Sequence, residues 1–166
     1  MDVLREAAAL ERQGRRIVHM EVGEPAAPPP RVVRDAAIAA LGGGRVGYTE
    51  ALGLPSLRQA IARSYRELYD LEVSAKRVAV TTGSSGGFIL TFLACFDPGA
   101  RIAISEPGYP AYRNLLEALG LIAVPLAVSA ATRFAVTAQM IEAEHREQGL
   151  DGALLMSPAN PRPAPC

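Results

Sequence analysis

From residue 77 onward, short apolar runs alternate with segments of helical composition, and no other feature of the chain constrains its fold as tightly. Val78–Thr82, Ile102–Ser105, Leu121–Val128 and Ala153–Met156 are predicted strands. Ser84–Phe96, Tyr109–Leu119 and Ala138–Gln148 are predicted helices, the last with Thr137 as its cap. Strands without a polar face are buried on both sides, and a helix between successive strands brings them back parallel. The expected class is α/β, a parallel sheet flanked by helices.

The preceding part reads differently. Residues 2–13 have helical composition, and a short β-like stretch, Ile17–Val22, follows the Gly14-Arg15-Arg16 break. A loop opens at Gly23-Glu24-Pro25 and runs through Pro28-Pro29-Pro30, which exclude regular helix. Val32, Val33, Ala36, Ala37, Ala40 and Leu41 then form one apolar stripe of a helix that stops at Gly42-Gly43-Gly44, leaving 42–54 as loop. Pro55 suits the first turn of an amphipathic helix carrying Leu57, Ile61, Tyr65 and Leu68. The Pro-rich end, Pro158–Cys166, continues neither helix nor central strand.

Composition removes several functional classes. With 166 residues, 49% hydrophobic, the chain suits one domain or a piece of a larger one. Seventeen basic residues balance 17 acidic ones, so no broad positive field exists to hold nucleic acid or anionic lipid, and no nucleic-acid or membrane partner is expected. The N-terminus lacks the basic-then-apolar order of a secretion signal, and the apolar run Phe88–Phe96 is far too short to span a bilayer. Cys95 and Cys166 make no disulfide framework; Cys95 reads as a small buried hydrophobe, and a reducing, cytoplasmic location is expected.

Ligands of open parallel sheets bind where strands end, and three predicted strand ends carry unusual residues. After Val78–Thr82 comes Gly83-Ser84-Ser85-Gly86-Gly87 and then helix: small residues admit an anion close to the backbone, and hydroxyls and helix dipole favour it. An ordinary capped turn would have the same composition. After Ile102–Ser105 comes Glu106-Pro107-Gly108-Tyr109-Pro110, whose Tyr109 could stack on a flat ring or simply pack in the core. After Ala153–Met156, Asn160 stands between turn-forming residues with an amide free for a ligand or for a plain Asn-Pro turn. Gly42-Gly43-Gly44-Arg45-Val46-Gly47 satisfies the Gly-x-Gly-x-x-Gly template but follows a helix, so it is rejected as a nucleotide site. His19 and His145 have no companions at ligand spacing, so no metal is expected.

The succession Val22-Gly23-Glu24-Pro25, Gly47-Tyr48-Thr49, Gly53 with Leu57-Arg58, Val80-Thr81-Thr82-Gly83-Ser84-Ser85, Glu106-Pro107-Gly108-Tyr109-Pro110 and Ser157-Pro158-Ala159-Asn160-Pro161 resembles the class I/II aminotransferases. These are fold-type I enzymes that use pyridoxal 5'-phosphate (PLP). The resemblance implies that Gly83, Ser84 and Ser85 bind the cofactor phosphate, that Tyr109 stacks on the pyridine ring and that Asn160 bonds the ring's 3-oxygen. It further implies that Tyr48 reaches the phosphate of a partner subunit in a homodimer, and that Gly23 lies beside the substrate carboxylate. Residues 1–46 would then be an N-terminal segment of small domain and arm, 47–161 an incomplete PLP-binding large domain, and 162–166 a tail foreign to the family.

What the resemblance implies for activity is amino-group transfer between an amino acid and a 2-oxo acid, in a biosynthetic setting. The only lysine, Lys76, precedes a strand and has no counterpart to the family's Schiff-base lysine, so no catalytic residue is assigned and the chain is expected to be a truncated, inactive form. Other readings are a C-S lyase or synthase of the same fold, a non-catalytic PLP- or phosphate-binding or dimerisation fragment, and a phosphate-binding α/β domain unrelated to PLP. In the family's sheet the 78–82 strand pairs with strands from beyond this chain, so here it is expected to lack a neighbour and the polypeptide to be marginal, aggregation-prone or dependent on a complementing piece.

Overall fold

The computed structural model describes residues 2–20, 23, 25, 27–44 and 47–157. The chain divides into two compact units, Met1–Tyr48 and Thr49–Cys166. Among the described residues, no helix is long and apolar enough to cross a membrane.

The first unit holds α1 (Asp2–Arg12) and α2 (Arg31–Gly43). Gly14, at φ +82°, turns the chain out of α1, and its N–H donates to the Glu11 carbonyl. The helix α2 begins directly after Pro30, where the proline run ends, and its apolar Val32, Val33, Ile38 and Leu41 are all exposed. Ile17–Met20 form no strand. β-composition alone does not suffice there, because an extended segment becomes a strand only when a neighbour supplies the other half of its ladder; the rest of that predicted stretch, 21–22, is outside the described residues.

The second unit contains α3 (Pro55–Tyr69), α4 (Gly83–Cys95), β1 (Arg101–Glu106), α5 (Pro110–Ala118), β2 (Ile122–Ala127), α6 (Ala138–Gln148) and β3 (Gly152–Leu154). The strands pair in the order β2-β1-β3, all parallel, with Arg101 opposite Ile122 and Ile102 opposite Gly152. Central β1 is buried continuously through Ile102, Ala103 and Ile104, whereas edge strand β2 alternates and tolerates Pro125. The connections from β1 to β2 and from β2 to β3 run through α5 and α6, and α5 packs against both β1 and β2. Phe92, Ile102, Ile104, Tyr112, Leu116 and Leu121 form the core. Thr137 caps α6 by accepting from the Met140 N–H, as its sequence predicts.

Three further expectations are corrected: α2 runs through Gly42 to Gly43, so the loop expected from 42 starts later. Val78–Thr82 is not a strand, because among the described residues no other strand lies alongside it; instead the Val80 N–H donates to the Leu52 carbonyl at 3.0 Å, and Arg58 of α3 donates from Nε to the Val78 carbonyl and from Nη2 to the Ala75 carbonyl, each at 2.8 Å. Gly53, buried and at φ +92°, allows this approach, since a Cβ there would fall 2.7 Å from the Val80 Cβ. Cys95 is exposed instead of buried. Of α4 and its C-cap, only the Phe88, Phe92 and Phe96 stripe packs into the core, and Cys95, at the helix's last position, lies off that stripe.

Candidate functional site

The turn into α4 is built from residues that leave the helix N-terminus open. Thr82, at φ −75° and ψ 75°, forms an inverse γ-turn closed by the Gly83 N–H to the Thr81 carbonyl at 2.9 Å. Gly83 then takes φ +75°, a left-handed conformation that costs a side-chain-bearing residue about 1–2 kcal/mol. The Thr81 hydroxyl donates to the Gly83 carbonyl at 2.8 Å, and no side chain caps the helix. Ser84 and Ser85 are exposed in the first turn, whose N–H groups an α-helix leaves without backbone partners. Gly86 lets this turn fit beneath the threonines: a Cβ there would lie 3.0 Å from Thr82 Oγ1.

At the carboxyl end of β1, the chain passes a cis Glu106–Pro107 peptide and reaches Tyr109, the residue that precedes the first turn of α5. Gly108 is required because a Cβ would collide with the Ser105 carbonyl oxygen. The Tyr109 ring is half-exposed and meets Tyr112 edge-on, with centroids 5.3 Å apart at 77°. Beside Tyr109 an open hollow of about 350 Å³ is lined by Ser105, Glu106, Gly108, Arg113 and Asn114, with Arg113 paired to Glu106 at 3.1 Å on its rim.

Tyr112 joins these loop ends. Its ring is edge-on to Phe88 of α4 at 5.2 Å, and its hydroxyl donates to Met156 Sδ, just past β3, at 3.6 Å. Burial, and secondarily the neighbouring Tyr109, raise the Tyr112 pKa above the ordinary phenol value. A phenol in these surroundings stays a neutral donor. The start of α4, the half-exposed ring of Tyr109 and the exit of β3 are therefore linked side chain to side chain through one residue.

The sequence profile of the family described as aminotransferase class I and II matches residues 15–162. The chain belongs to this family. Aminotransferase relatives resemble it in sequence and in structure. The valine--pyruvate aminotransferase of Mycobacterium tuberculosis is 47% identical over 97% of this chain and 41% of its own length. The crystal structure of an aminotransferase from Mycobacterium tuberculosis superposes with a TM-score of 0.89 at 47% identity, over 97% of this chain and 41% of that one. Alanine aminotransferase from Pyrococcus furiosus superposes with a TM-score of 0.85 at 26% identity, over 96% of this chain and 41% of its own. This chain thus spans about 41% of the length of these aminotransferases.

Of the residues singled out in the sequence, Gly83, Ser84, Ser85 and Tyr109 lie in the second unit, at the starts of the adjoining helices α4 and α5. Gly23 and Tyr48 lie in the first unit, and both are exposed. Asn160 lies outside the described residues. His145 is structural: its Nδ1 accepts from the Leu150 N–H at 3.0 Å just past the end of α6. His19 pairs with Glu11 at 2.9 Å, and the described residues contain no group of side chains arranged to hold a metal. Sequence reasoning missed Tyr112, Met156 and Arg58 as organisers of the site. The one available signal was the spacing of Tyr109 and Tyr112, three apart across a helix start, which puts both rings on neighbouring positions of one face.

Proposed function

We propose that this chain carries the cofactor-binding wall of a PLP-dependent aminotransferase, which transfers an amino group between an amino acid and a 2-oxo acid. The supporting observation is the uncapped α4 turn on left-handed Gly83, linked through Phe88 and Tyr112 to a half-exposed Tyr109. An anion and a planar ring are the two things such a wall accepts, and PLP combines them. The Ser84 and Ser85 amides and hydroxyls would hold its phosphate and Tyr109 would cover one face of its ring, with Asn160 on the 3-oxygen. Tyr48 of a partner subunit would reach the phosphate in a cytoplasmic homodimer, and Gly23 would leave room for the substrate carboxylate. Residues 1–46 act as small-domain segment and arm, and 47–161 as part of the large domain. When bound, PLP supplies an electron sink for the carbanion left by removing an amino acid's α-proton.

Proton transfer at that carbon needs a base within hydrogen-bond reach. Lys76, the only lysine, is exposed in a single turn at Ala75–Arg77, at the far end of the 78–82 segment from Gly83. Its position favours a chain that binds the cofactor phosphate without turning over amino acids on its own. Titration with pyridoxamine 5'-phosphate, which has no aldehyde, should show saturable binding that inorganic phosphate competes away. Borohydride treatment with PLP followed by mass spectrometry should give no specific adduct; stoichiometric labelling of Lys76, or failure of both phosphates to bind, would reject this reading.

A further inference from the structure

We propose that Tyr112 is a positioning residue that sets the plane of Tyr109 and ties the three loop ends into one wall; the part concerning the cofactor ring rests on the reading given above. Tyr112 is 7% exposed and does not line the hollow beside Tyr109. What it touches are residues from three separate elements: Phe88 in the second turn of α4, Tyr109 ahead of α5, and Met156 after β3. An edge-to-face partner fixes the orientation of a ring as well as its distance, because the positive edge of one ring seeks the negative face of the other. Tyr109 makes no capping hydrogen bond, so its ring plane depends on that packing. The α4 turn is coupled differently. Phe88 continues into the stacked Phe92 at 6.0 Å and on to Phe96, so the start of α4 is held on the core by the same ladder that ends at Tyr109.

The hydroxyl has a separate task. Its bond to Met156 Sδ is a polar link from α5 to the segment after β3, which precedes Asn160 in the chain. Removing only the oxygen therefore loosens one of the three attachments, whereas removing the ring loosens all of them. This divides the role into two parts that conservative and radical variants separate.

Hydrogen–deuterium exchange on the ligand-free chain tests the tie. Tyr112→Leu should speed exchange about tenfold at 84–88, 108–113 and 155–157, with Ile102–Ile104 still protected, and Tyr112→Phe should restore the first two and leave only 155–157 fast. Change confined to α5, or equal change throughout the sheet, would overturn the proposal. Binding tests the ring plane: Tyr112→Leu should weaken pyridoxamine 5'-phosphate about tenfold while leaving inorganic phosphate within about twofold, and adding Tyr109→Leu should cost little more, since coupled residues are not additive. Equal loss for both probes, or no rescue by Tyr112→Phe, would contradict a positioning role. If the unaltered chain binds neither probe, the cofactor reading fails, and the exchange pattern still decides whether Tyr112 joins the loop ends.

Discussion

Arg58 holds Val78: the guanidinium Nε of the helical residue donates to the carbonyl of the extended one at 2.8 Å, and Nη2 bonds Ala75 alongside at the same distance. One planar side chain thereby does for this segment part of what a neighbouring strand would do. Because hydrogen bonds from a charged donor contribute about 1.5–3 kcal/mol each, Arg58→Met should lower unfolding stability by about 2–4 kcal/mol, read from urea melts. Arg58→Lys should recover less than half of this, since a single ammonium cannot span both carbonyls in the fork geometry.

Gly108 and Gly53 should resist enlargement for different reasons. Gly108→Ala forces a methyl onto the Ser105 carbonyl oxygen, and Gly53→Ala adds left-handed strain to an overlap with Val80. Each should cost about 1–3 kcal/mol in thermal or urea unfolding. Gly99→Ala, with open space around it but φ +88°, should lose only the conformational part, about 1 kcal/mol.

At Gly83 the consequence should be functional. Alanine there meets no neighbouring atom but opposes φ +75°, so the turn before Ser84 relaxes toward a right-handed geometry. Pyridoxamine 5'-phosphate affinity should fall about 5- to 20-fold by titration calorimetry, the equivalent of about 1–2 kcal/mol. Ser84→Ala and Ser85→Ala should each weaken it about threefold to tenfold by removing one hydroxyl donor.

The Tyr112 pKa shift predicts a pH effect with a definite sign. Folded Tyr112 holds its proton to higher pH than the unfolded phenol, whose ordinary pKa is about 10. Stability from this group is complete below pH about 10 and is lost as pH rises from there through the raised folded value, because the unfolded state then releases a proton that the folded state keeps. Melting temperature between pH 9 and pH 11, taken as roughly bracketing the phenol range, should fall more steeply for the native chain than for Tyr112→Phe.

The exposed face of α4 predicts poor solution behaviour. Leu90 and Leu93 are 60% and 63% exposed on a helix whose opposite side is already in the core, and apolar surface of this kind promotes association. Light scattering of the native chain should show concentration-dependent oligomers. Leu90→Lys with Leu93→Lys should reduce them without lowering the unfolding midpoint; a monodisperse native chain with a sharp cooperative melt would contradict this.

Local signals carried most of the second unit. The limits of α6 were readable because Thr137 starts it and Gly149 ends it, and both act within one turn of the helix. Gly83–Ser85 and Tyr109 stood out because turn chemistry and helix starts are also local. The Val78–Thr82 strand prediction failed on a non-local matter: an apolar run announces burial and extension, whereas the missing neighbour was expected only from the family resemblance. Tyr112 escaped notice for the same reason, since Met156 is 44 residues away and nothing in either residue's immediate sequence names the other.

By itself, then, the order of residues determined the class of fold, the helices to within a residue or two and the family, because periodicity, caps and motif succession act over a few residues. Tertiary structure decided that three of the apolar runs form a sheet and that Arg58 holds the fourth, and it made Tyr112 the meeting point of the site. The physical reason is that pairing and edge-to-face packing depend on which distant groups share space, and only the closed chain brings those groups within bonding distance.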